Sequence, residues 1–213
     1  MLSELYLGYV LATIAVLVVP GPTIVLVISY ALAHGRRSAL ACVVGVGLGD
    51  ATGVTVSLIG LGAILAASAT LFTILKWVGA LYLIWLGIKM WRATPVSLVP
   101  TANSVPSTAG TGETRSMIAR TWLVTALNPK GIAFYVAFLP HFVDGNLPVA
   151  PQFVLLGTTF VVLGMVNALL YAIFASSLRQ RLRNPTAVRS VNRIGGSFLI
   201  GAGLLTAAVR RAV

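Results

Sequence analysis

The chain has 213 residues, of which 58% are hydrophobic and 9% charged, with a formal net charge of +11. A soluble domain of average composition is about 25% charged, and so few charged side chains cannot cover a globule of this size. The composition therefore argues against a soluble enzyme or a nucleic-acid binder, whose basic residues would be interleaved with aromatics on one face, and points to a polytopic membrane protein with basic loops.

A bilayer core needs about 20 apolar helical residues. Six segments meet that need: Leu5–Ala33, Ser38–Ala66, Leu71–Met90, Met117–Phe142, Ala150–Ser176 and Val191–Val209. The start, Met1 to Leu7, has no basic residue, and its only charge is Glu4. The apolar run behind it exceeds a signal-peptide core, so a retained membrane helix is expected. Pro20-Gly21-Pro22 falls near the middle of this first segment. Proline lacks an N–H and clashes with the carbonyl four residues back, so the helix should break there.

The second segment holds the lone cysteine, Cys42, expected to pack as a small apolar residue. Gly45, Gly49 and Gly53, extended by Ala41 and Ser57, form a stripe that lets a second helix approach closely, inside the bundle or else at a dimer face. Asp50 is the one acid deep in a span. An isolated carboxylate there costs at least ~2.5–3.5 kcal/mol, so it needs a partner or a wet pathway. In the third segment Trp77, Tyr82, Trp85 and Trp91, with Lys76 and Lys89, read as interfacial anchors. The polar stretch Ala93–Ser116 is rich in Pro, Ser, Thr and Gly and reads as a cytoplasmic loop. The fourth segment carries a second break, Asn128-Pro129-Lys130-Gly131, and the fifth places Asn167 at similar depth. Lys130 is the expected ion-pair partner of Asp50, and Asn167 a neutral one. His34 and His141 stand at span ends, where interfacial hydrogen bonding is the default. Arg179–Ser190 is a basic segment before the sixth span, with lipid contact as a further role.

Charge sets the expected orientation. Eleven of the 15 Lys and Arg lie in or beside the first, third and fifth loops, against Lys76, Arg210 and Arg211 on the other side. Both termini are thus expected outside and the basic loops in the cytoplasm.

The third and sixth segments match at an offset of 116: Lys76–Ile84 reads against Asn192–Ile200, and Gly87 falls on Gly203. Pro20-Gly21-Pro22 aligns with Pro129-Lys130-Gly131, each followed by an apolar run and a polar turn, Ala33-His34-Gly35 or Val143-Asp144-Gly145. A weaker match sets Leu48-Gly49 against Leu163-Gly164. The chain thus divides into repeats 1–92 and 117–213 around the loop 93–116. Three spans per copy would insert the copies in opposite senses, the inverted-repeat design of many secondary transporters. The expected fold is an all-α single membrane domain of six helices, with the first and fourth broken.

Unwound backbone at membrane depth is tolerated where it lines a cavity, and a half-helix N-terminus favours an anion. The expected substrate site is therefore Pro20, Gly21, Pro22, Thr23, Asp50, Asn128, Pro129, Lys130, Gly131 and Asn167. A substrate carboxylate would meet the half-helix ends and its ammonium would meet Asp50, which also serves as proton carrier. The alternative is an Asp50–Lys130 pair that only fixes helix register. Neither catalytic residues, cofactor nor metal site are expected: Cys42 has no histidine at its depth, and one Asp, one Asn and scattered Thr make a thin oxygen cage for a cation.

Val19-Pro20-Gly21-Pro22, Gly49-Asp50, Gly79-Ala80-Leu81-Tyr82-Leu83 with Leu86-Gly87, Asn128-Pro129-Lys130 and Leu139-Pro140-His141-Phe142 occur in the order found in the lysine-exporter (LysE/RhtB-type) family, which the chain resembles over almost its whole length. His141 stands where that family usually has glutamine, and Ala119–Trp122 lacks its glycine. The resemblance implies a bacterial inner-membrane exporter of an amino acid or similar small zwitterion, driven by protons. A divalent-cation or other ion exporter, and a structural membrane subunit without transport, are the competing readings.

Overall fold

The computed structural model describes residues 3–93, 111–144 and 147–208, and among them every regular element is helical. Helix α1 spans Ser3–Val18, α2 Pro22–Ala67, α3 Ala69–Arg92 and α4 Thr111–Ala126. The short α5, Pro129–Ala133, runs on through a π-helical turn, Phe134–Phe138, and a 3₁₀ turn, Leu139–Phe142. Helices α6, Val149–Arg183, and α7, Pro185–Ala208, complete the chain.

Four stretches are long and apolar enough to cross a bilayer: Leu40–Ala63, Thr73–Arg92, Thr114–Phe142 and Val149–Ala175. Leu5–Val18 and Pro22–Gly35, bent by 56° at the proline break, make a fifth if counted as one span. The expected sixth, Val191–Val209, falls largely in α7, which is not among these stretches. Val209, its last residue, lies outside the described residues.

Three expected boundaries move. Helix α2 runs through the first loop, turning only at Gly35, whose φ of 81° and ψ of 170° are open to glycine and strained for other residues. Helix α4 begins at Thr111, inside the stretch expected to be loop; residues 94–110 lie outside the described residues. The basic segment is helical on both sides of Asn184, whose side chain caps α7 by accepting from the Thr186 amide at 2.9 Å. Arginine is a good helix former, so a basic composition does not by itself end a helix.

Helix α2 packs on α4 and α6, and α3 on α7. The glycine stripe of α2 explains the first contact. A Cβ at Gly45 would lie 2.7 Å from the Ile118 carbonyl oxygen, and one at Gly49 2.5 Å from Thr125 Cβ. The stripe is therefore covered from within the chain, by α4 at Gly45 and Gly49 and by Tyr135 at Gly53. Cys42 is fully buried beside Val43 and Val46, as a packing residue should be.

The α3–α7 contact has a pattern of its own. A Cβ at Gly87 would meet the Gly196 carbonyl oxygen at 2.6 Å and the Ile200 side chain at 2.8 Å. A Cβ at Gly203 would meet the Ala80 carbonyl oxygen at 2.7 Å and the Ile84 side chain at 2.6 Å. At the offset of 116, Gly87, Gly196 and Ile200 correspond to Gly203, Ala80 and Ile84, so each contact is the image of the other. Likewise Gly79 faces Ala137 in the fourth segment, while Gly195 faces Val19 in the first. Valine at position 87 or at 203 is expected to cost about 1–3 kcal/mol by overpacking, and the same at both. Gly201→Val, with nothing within 4 Å, should be tolerated. Thermal unfolding of the three purified variants in detergent checks this; an unequal loss at 87 and 203 would contradict the equivalence.

Two apolar clusters hold the bundle. One gathers Tyr9, Val16, Phe134, Phe138, Leu139 and Phe160; the other gathers Ile24, Val27, Ile28, Val46, Met117 and Ala172. The candidate site lies where they meet.

Candidate functional site

In an α-helix each carbonyl accepts from the N–H four residues on. Pro20 and Pro22 have none, so the carbonyls of Val16 and Val18 lose their partners by sequence alone. Those of Leu17 and Val19 lose theirs because the helix stops. Four consecutive carbonyls then face membrane depth without intrahelical donors, a cost of several kcal/mol each if unmet. Side chains from the second half of the chain meet all four. Lys130 Nζ donates to Val16 O at 3.0 Å and to Val19 O at 2.8 Å. Asn167 Nδ2 donates to Leu17 O at 3.0 Å, and the Tyr171 hydroxyl to Val18 O at 2.7 Å.

The break in the fourth segment is closed more tightly. The Asn128 amide donates to Thr125 O at 3.0 Å, and its side-chain oxygen accepts from the Lys130 amide at 3.1 Å, capping α5. Thr23, in the first turn of α2, joins the two breaks: its hydroxyl oxygen accepts from Thr125 Oγ1 at 3.3 Å and Asn128 Nδ2 at 3.4 Å.

Asp50 is 6% exposed. The Tyr135 hydroxyl donates to its Oδ1 at 3.1 Å. Its Oδ2 lies so close to Gly164 that a Cβ there would collide with it. The expected Asp50–Lys130 pair is not in direct contact: both groups line one cavity, but the ammonium donates to the α1 carbonyls and the carboxylate accepts from Tyr135. Asn167, expected opposite Asp50, serves α1 instead. The reason is the backbone: orphaned carbonyls at the break are as demanding as the carboxylate and take the nearest strong donors.

These groups surround one cavity of about 30 Å³, lined among others by Gly21, Thr23, Asp50, Asn128, Lys130 and Asn167. Gly131, Thr125, Gly164 and Phe160 also line it. A water needs roughly 10–15 Å³ by this measure, so the space holds two waters or so and is closed to an amino acid. Of the ten expected site residues, Pro20, Pro22 and Pro129 do not line it; they shape the breaks on either side.

A family model of LysE type translocators matches residues 14–208. The chain belongs to the LysE type translocator family. It is 32% identical over 212 residues to the homoserine/homoserine lactone efflux protein of Salmonella typhimurium, covering 100% of both chains. It is 34% identical over 172 residues to a leucine efflux protein of Enterobacter sp., covering 80% of this chain and 75% of the relative. It is also 33% identical over 208 residues to an uncharacterized membrane protein of Vibrio cholerae, covering 97% and 98%. No solved structure matches. The relatives with a named activity are efflux proteins rather than enzymes, and this LysE translocator is a membrane protein like them.

The sequence does not single out Tyr135, Thr125, Tyr171 or Phe160, which the structure brings to the site. Tyr135 stands one turn beyond Gly131, on the same face as the break, and that spacing was the available signal. Tyr171 follows Asn167 by four residues and so shares its face. Phe160 reads as ordinary core in any apolar helix.

Proposed function

We propose that this LysE-family protein exports an amino acid or similar small zwitterion across the bacterial inner membrane, by alternating access coupled to protons. The observation that carries this is one cavity ringed by a buried carboxylate, a lysine ammonium and two helix breaks. Those are the groups a zwitterion requires: Asp50 for its ammonium; the third N–H of the Lys130 ammonium, beyond the two given to α1, and the amides at the start of α2 for its carboxylate. The relatives named for homoserine and leucine efflux support a small amino acid.

The mirrored α3–α7 contacts support two inverted repeats, 1–92 and 117–213, meeting along that pair. Six crossings follow, with α7 as the sixth, and both termini outside by the basic-loop asymmetry. The cluster around Tyr9, Phe134 and Phe138 then closes the outer path, and that around Ile28 and Met117 the inner one. With both shut the cavity is small; substrate enters when one cluster parts. Protonation of Asp50 from outside releases the substrate ammonium and resets the carrier.

The test is a screen in cells: express the protein, feed dipeptides, and assay the medium. One or a few small amino acids should accumulate several-fold above vector controls. No amino acid exported above control, with the protein present in the membrane, would reject this reading.

A further inference from the structure

Lys130 does something that hydrogen bonding alone does not demand. Neutral donors suffice for Leu17 O and Val18 O, which take Asn167 and Tyr171. At Val16 O and Val19 O the chain places an ammonium, touching both oxygens at 3.0 and 2.8 Å. The end of a half-helix carries partial negative charge, and carbonyls at such ends hold cations in carriers built from broken helices. Pro20 ensures that Val16 O is never claimed by the backbone. The Lys130 amide is held by the Asn128 side chain at 3.1 Å, so the stem is anchored at its root and its tip is delivered to the oxygens. Val16 and Lys130 both line the cavity, and the same Nζ reaches on to Val19 O at 2.8 Å.

We propose that the carbonyls of Val16 and Val19 form a binding site for one primary ammonium group, which Lys130 fills from within the chain. The protein carries its own cation, tethered, where an unbound one would otherwise sit. That charge holds the end of α1 to the second half of the molecule.

Cutting Lys130 back to alanine removes the tether and leaves the oxygens and the space. Lys130→Ala, purified in detergent without any amino acid, should unfold at a lower temperature than the unaltered protein. Saturating ethylammonium should raise its transition by about 3 °C, the shift given by roughly 1 kcal/mol of ligand binding in a chain of this size. Tetramethylammonium, which has no N–H to donate, should not; ethylammonium should shift the unaltered protein less, and its effect on Lys130→Ala should persist in Lys130→Ala/Asp50→Asn, where the carboxylate is gone. If Lys130→Ala fails to accumulate, ethylammonium in the growth medium should raise its amount in the membrane several-fold. Lys130→Gln keeps neutral donors and should unfold below the unaltered protein. The proposal is overturned if ethylammonium neither stabilises Lys130→Ala nor restores its amount, if tetramethylammonium does as well, or if Lys130→Gln matches lysine. Because amino acids are absent, failure here leaves the export reading standing, and failure of the export screen leaves the ammonium site standing.

Discussion

Asp50→Asn is expected to leave a folded, membrane-inserted protein whose gradient-driven export falls by about 10–100-fold. Asparagine matches aspartate in shape, and its carbonyl oxygen can still accept from the Tyr135 hydroxyl, which now reaches Asp50 at 3.1 Å. What is lost is the charge. A hydrogen bond to a charged group contributes about 1.5–3 kcal/mol, and each 1.4 kcal/mol is tenfold in affinity. Removing a carboxylate that is 6% exposed also relieves its desolvation, so stability should hold or rise while transport drops. Tyr135→Phe separates the two roles of the contact. It deletes a donor but keeps the acid, and should weaken export far less. Preloaded cells or vesicles provide the measurement, with efflux followed with and without an imposed proton gradient. Undiminished, still gradient-driven export by Asp50→Asn would remove Asp50 from the coupling mechanism.

Asp50 and Lys130 show how far the sequence can be read. Asp50 was legible because a carboxylate in an apolar span is costly enough to stand out from its neighbours. The breaks were legible because proline acts locally, on the carbonyl four residues back. Partnership was not legible. Lys130 and Asp50 are the obvious pair when only charges are compared, yet the ammonium is drawn to Val16 O and Val19 O. Orphaned carbonyls have no letter in the sequence; they exist only once a helix has stopped. Counting which N–H groups Pro20 and Pro22 remove would have flagged Val16 and Val18. The donors that cover them, more than 100 residues away, depend on how the halves dock. The helical continuation through Gly35, back to Thr111 and up to Asn184 is hidden in the sequence for a related reason. Basic and polar residues read as loop, whereas arginine and alanine continue a helix readily.

Restoring the lost donors should be as damaging as removing the acid, by the opposite route. In a Pro20→Ala/Pro22→Ala double variant, residue 20 regains an N–H for Val16 O and residue 22 one for Val18 O. Proline in a helix interior costs about 3 kcal/mol relative to alanine, so the local preference shifts towards one continuous helix and the 56° bend should straighten. Lys130 and Tyr171 then lose acceptors to the backbone, and the cavity between Gly21, Thr23 and Lys130 loses the wall that faces it. The variant should insert and export at under about a tenth of the parent's rate, since more than 1.4 kcal/mol of site geometry is forfeited, while the local gain in helix preference offsets part of the stability lost with the Lys130 contact. Pro129→Ala should do much less. The carbonyl that residue 129 would serve, Thr125 O, already accepts from the Asn128 amide at 3.0 Å, and Asn128 goes on capping α5. The two breaks therefore differ in kind. The first holds backbone oxygens open for side chains to fill; the second is a capped turn that aims one of those side chains. Efflux rates and unfolding temperatures of the double variant and of Pro129→Ala, compared side by side, test that distinction. Equal losses of export in both would make the breaks interchangeable kinks.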